Sequence, residues 1–159
     1  MYELPYKFTT ATTGQAFTTV ANSAYSFDLG ATGKYIGNQA KPIIFKGKVI
    51  TAFTGAAEGV TIDVITSDTS TISTGDQKAV AHFVSKLSVY SATATQDGVI
   101  PITDIDAIGD EIFAVIPPNI ACLRYLAIRV NPVTNALATG YFEFTMEDGC
   151  GEAGAGCVA

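Results

Sequence analysis

The sequence has no tryptophan, a single histidine, His82, and only three cysteines in 159 residues. Each shortage removes a class of chemistry. Ser–His–Asp catalysis would have to use His82, and the chain contains no Gly-x-Ser-x-Gly elbow. A Cys–His pair would need Cys122 beside His82, yet Cys122 stands in an apolar, strand-like run and reads as a small core residue. For His82 itself the simpler reading is a partly buried strand residue. A structural zinc takes about four N or S ligands, a set this chain does not spell out. Three cysteines do not make a disulfide framework. Cys150 and Cys157 flank a Gly-rich tail, where pairing is sterically open but unnecessary in a reducing cell. No Gly-Lys pair cradles phosphate, because Gly33-Lys34 and Gly47-Lys48 are followed by Tyr and Val instead of Ser or Thr. Paired carboxylates for glycoside hydrolysis are compatible with any spacing in a strand-rich chain. Their usual aromatic platforms would here have to be Tyr. These gaps argue against an enzyme, and no catalytic, cofactor-binding or metal-binding residue is expected.

Charge is scarce as well. Asp, Glu, Lys and Arg make up 15% of the chain, against about 25% in an ordinary soluble domain. Thr, Ser, Ala and Gly take their place. Such a surface is polar but cheap to desolvate, which suits a subunit covered by neighbours; the plainer alternative is a Thr-rich monomer short of Lys and Glu. Nine basic residues against fifteen acidic give a net charge of −6. With no basic run to release counterions, nucleic acid is not an expected partner. No window approaches the roughly 18 apolar residues of a membrane-spanning helix. Met1–Thr13 lacks the basic start and apolar stretch of a signal peptide. A chain made in a cytoplasm, with no membrane partner, is the expectation. The acidic run Asp104–Glu111 suggests a calcium loop, but Ile108 stands where an EF-hand places a third oxygen ligand. A solvated loop is the reading preferred here.

What the chain does have is short-period apolar alternation broken by Gly, Asn, Asp and Pro. Hydrophobic residues form 48% of it, enough for one domain that buries roughly 70% of its unfolded surface. The clearest strand is Ala138–Glu147: Phe142, Phe144 and Met146 fall on one face, and Tyr141, Glu143, Thr145 and Glu147 on the other. Leu123–Val130 repeats the pattern with Leu126, Ile128 and Val130. The turn-rich Asn131–Asn135 joins the two, predicting a hairpin. Further strands are expected at Ala16–Val20, Ala24–Leu29, Pro42–Phe53, Gly59–Ser67 and Glu111–Ile116. Gly55-Ala56-Ala57-Glu58 is read as a second hairpin turn. Gly47, in mid-strand, marks a bulge or a close backbone approach. Asp76–Ser91 fits either a strand or a short helix. About eight to ten short strands with long connections predict an all-β, antiparallel β-sandwich or jelly roll.

The ends read differently from the middle. Gly149–Ala159 (GCGEAGAGCVA) lacks large apolar groups and is expected to be a flexible tail after a single domain over 1–148. The first 13 residues or so read as an N-terminal arm. Its alternating Tyr2, Leu4, Tyr6 and Phe8 suit either a segment lying along a neighbouring subunit or a plain edge strand.

In order, these pieces resemble the jelly-roll cement (decoration) proteins of tailed-bacteriophage capsids, of the Bordetella-phage type. The residues carrying the likeness are the aromatic arm, then Ser26-Phe27-Asp28-Leu29-Gly30 and Thr66-Ser67-Asp68. They continue with Pro117-Pro118, Leu123-Arg124-Tyr125-Leu126-Ala127-Ile128 and Ala138-Thr139-Gly140-Tyr141-Phe142. The likeness runs from Tyr2 to Asp148; Thr74–Asp110 and the Gly/Cys tail depart from the pattern. The resemblance implies a virion structural protein, made in the host cytoplasm, that forms a homotrimer on the capsid exterior. It would bind the major capsid protein and stabilise the shell without a cofactor. A carbohydrate- or receptor-binding jelly roll on a virion is the alternative.

Overall fold

Residues with a period of two in apolarity form the long strands of the computed structural model, which describes residues 6–10, 14–30, 34–35, 43–55, 57–72, 78–85, 98–116 and 120–148. In chain order the strands are β1 (Tyr6–Lys7), β2 (Gln15–Ala16), β3 (Ala21–Asn22), β4 (Phe27–Asp28), β5 (Lys34–Tyr35), β6 (Ile43–Gly55) and β7 (Gly59–Ser67). They continue as β8 (Lys78–His82), β9 (Val84–Ser85), β10 (Val99–Pro101), β11 (Glu111–Val115), β12 (Ala121–Cys122), β13 (Tyr125–Val133) and β14 (Leu137–Asp148). A 3-10 turn spans Ile102–Asp104. The Asp76–Ser91 ambiguity resolves as strand where it is described, with Phe83 buried between β8 and β9.

The antiparallel pairs are nested. β14 pairs β1 and β2, β13 pairs β3 and β4, β12 pairs β5, β11 pairs β6, and β8 pairs β7. The chain is thus one long ribbon folded back on itself between β7 and β8. Rolling that ribbon brings β6 against β14 and β7 against β13. Sheet I then has the order β1–β14–β6–β11–β9, with β2 also on β14; sheet II has β10–β7–β13–β3, with β4 on β13 and β8 on β7. This connectivity is that of a jelly roll, and the all-β sandwich expected from the sequence is the fold.

Both expected hairpins are corrected by this pairing. β6 lies in sheet I and β7 in sheet II; β13 lies in sheet II and β14 in sheet I. The turn residues do reverse the chain, but each connection steps from one layer to the other. The physical reason is closure: crossing at both corners lets the two long pairs share one core.

That core is largely phenylalanine. Phe8, Phe17, Phe45, Phe53, Phe83, Phe142 and Phe144 are all at most 1% exposed, each worth about 2–3 kcal/mol of burial. Phe144 sits centrally, with ring centroids 5.0 Å from Phe142, 5.4 Å from Phe83 and 5.6 Å from Phe17. Tilted and edge-on ring pairs of this kind add to plain area burial. Gly47 faces inward beneath this cluster in an unbroken register, so the close approach holds and the bulge does not. A Cβ there would lie 2.6 Å from both Ile112 and Phe144 side-chain atoms. Gly140 is bound more tightly, since its φ is +147° and a Cβ would fall 2.0 Å from the Phe53 ring. The register shifts of the β14·β6 pair lie around this glycine. Cys122 is fully buried, as the sequence suggested, and burial pushes its thiol pKa up.

Candidate interaction surfaces

The described part of the N-terminal arm, for which the sequence leaves open a neighbour-reaching segment or an edge strand, pairs within this chain. Tyr6 and Lys7 form β1 on the edge of sheet I. Phe8 is completely buried, its ring 6.0 Å from Phe45, and has no surface left for a partner. The Tyr6 hydroxyl donates to the Ser26 carbonyl at 2.7 Å, and its ring meets Phe8 and Phe27 edge-on. Burial, with a smaller contribution from nearby Tyr25, raises the Tyr6 pKa. The edge-strand reading therefore holds for Tyr6 and Phe8. Apolar alternation at the terminus fits this sheet edge because Phe8 can turn into the core while Lys7 points out to Glu143, 2.8 Å away. Tyr2 and Leu4 lie outside the described residues, as does the tail 149–159.

His82 is a strand residue, as expected, but it is exposed instead of partly buried. It lies on the outer face of sheet II, with Nδ1 2.6 Å from Asp63 Oδ1 on the neighbouring strand. Cys122 is enclosed in the core, so the two do not make a nucleophile and base. In the acidic loop, Asp104 accepts a hydrogen bond from the buried Ser85 hydroxyl, and Asp110 Oδ2 accepts from the Ala107 amide at 2.9 Å. Backbone bonds between Val49 and residues 109 and 110 hold the loop against β6, and Ile108 projects from it 75% exposed. Among the described residues no three His, Cys, Asp or Glu side chains gather closely enough to hold a metal ion.

The two broad outer faces differ. On sheet II, Ile65 and Ala127 are cross-strand partners pointing away from the core, yet each is only 2% exposed. A strap formed by residues 68–72 follows β7 and lies across this face beside Ala127. Asn22 Nδ2 donates to the Ile72 carbonyl at 2.8 Å, and Ser26 Oγ bonds the Ser70 carbonyl at 3.4 Å. Strap and strand edge enclose a groove of about 270 Å³, with Asn22, Ser23, Ser26, Ser70, Thr71 and Ala127 in its lining. Those groups offer hydroxyls and one amide, and neither an aromatic platform nor a carboxylate.

Sheet I carries no such strap among the described residues. Cross-strand register sets its outward side chains in rows: Glu147–Ile44–Val115, then Lys7–Thr145–Lys46–Phe113–Val84, then Glu143–Lys48–Glu111. Ion pairs join Lys7 to Glu143 and Lys46 to Glu147 across the rows, the second at 3.0 Å. Toward the β9 edge the same rows turn apolar. Ile44, Phe113, Val84 and Val115 form a contiguous strip, with Val84 39% and Val115 46% exposed. Sequence reasoning missed this strip. Alternation predicts a strand over Glu111–Ile116, but nothing in it says which outward residues the fold covers again.

No protein-family model and no curated protein matches this sequence. No helix among the described residues is long and apolar enough to cross a membrane.

Proposed function

We propose that this chain is a virion structural protein, a capsid cement (decoration) subunit that trimerises and braces the shell from outside by binding the major capsid protein. It acts by adhesion and turns over no substrate. The observation that carries this reading is how the surface spends its few charges. Lys7–Glu143, Lys46–Glu147 and Arg124–Asp28 each pair within the chain, the first two across adjacent strands. Arg124 meets Asp28 through two 3.0 Å bonds, which raise the guanidinium pKa further. Ions already paired lose less when a neighbour excludes water, so such walls are inexpensive to cover. Rigid strands carrying Thr, Ser and paired ions make broad, flat contact areas. At roughly 25 cal/mol per Å², a modest contact repeated over a shell adds up to large mechanical support.

Light scattering on the purified protein tests this reading, with a stable three-chain mass expected at micromolar concentration. Co-sedimentation with DNA-filled shells of the encoding phage is the second expected result. A monodisperse monomer that leaves those shells unbound would overturn it.

A further inference from the structure

We propose that the apolar strip of Ile44, Val84, Phe113 and Val115 on sheet I is the contact through which copies of this chain associate. The inference rests on the trimer reading and names its surface. Two observations select a second copy as the occupant. First, the strip is aliphatic and aromatic, and Val84 and Val115 in it stay open although the outward pair on sheet II, Ile65 and Ala127, is buried within the chain. Second, among the described residues the face around it is charge-balanced in a chain of net charge −6. Lys7, Lys46 and Lys48 stand there against Glu111, Glu143 and Glu147. Identical copies repel wherever their own surplus charge meets itself. They approach without that cost only at a neutral patch, and a rim with both signs lets ion pairs form between subunits.

The loop end around Ile108 shows the contrast. Residues 98–110, 49–59 and 131–141 contribute Glu58, Asp104, Asp106 and Asp110 and not one Lys or Arg. Two copies meeting there would bring acid against acid. The strip lies at the β9 edge of the sheet, so a three-fold axis passing beside β9 brings three strips together, and water leaves all of them at once.

Size-exclusion chromatography with light scattering tests the assignment on Val84→Asp/Val115→Asp, on Val84→Lys/Val115→Lys and on Ile108→Asp. Either charge sign on the strip should raise the concentration for half-assembly by about a hundredfold or more, with far-UV circular dichroism kept near wild type. Ile108→Asp should assemble normally. A trimer that survives both strip variants overturns the strip but leaves the cement reading standing. A trimer lost in Ile108→Asp overturns it too. Wild-type protein that is monomeric at every concentration defeats both.

Discussion

Sheet I and sheet II have the same plan, two long central strands flanked by short ones, but opposite treatment of their outer walls. On sheet II an outward Ile65 and Ala127 are buried within the same chain, with residues 68–72 lining a groove over Ala127. On sheet I an outward Val84 and Val115 stay open beside paired ions. The difference teaches that burial on a sandwich is decided twice. Strand parity first sorts side chains inward or outward, and connections then decide which outward ones are recovered.

The comparison is broken most severely by placing a carboxylate on each wall. Ile65→Asp should lower unfolding free energy by about 5 kcal/mol, since it removes a buried aliphatic group and strands a charge in its place. Val115→Asp should cost under about 1 kcal/mol of folding stability, as an exposed strand substitution does. Urea unfolding of both at low protein concentration gives the ratio, and equal losses would erase the distinction between the walls. Gly47→Ala belongs to the core that both sheets share, and should cost about 2 kcal/mol because its methyl group meets Ile112 and Phe144 at once. A neutral result in the same unfolding assay would mean that the roof over Gly47 can move. Asn22→Ala, which frees one anchor of the strap, is the smallest change, at about 1 kcal/mol. Limited proteolysis should then cut faster within 68–72 and leave the strip on sheet I unaffected.

Much of this architecture was legible in the residues. Gly59–Ser67 matches β7 at both ends, and the inward set Phe142 and Phe144 follows from period two alone. Two-residue strands such as β1, β3 and β12 hold no period to detect. Layer assignment was also hidden, because turn residues such as Asn131-Pro132 report that the chain reverses and not whether it stays in its sheet. For the same reason the outward position of Val115 was readable and its exposure was not. Phe8, left open between an arm and an edge strand, could have been assigned to the core only by knowing that β14 lay beside it.

Amide hydrogen exchange at dilute and concentrated protein bears most directly on the claim that one wall is sealed by the chain and the other by a neighbour. Protection at Val84–Ser85 and Phe113–Val115 should rise with concentration, while residues 68–72 exchange alike at both. Unchanged exchange in β9 and β11 under conditions where the protein assembles would contradict it.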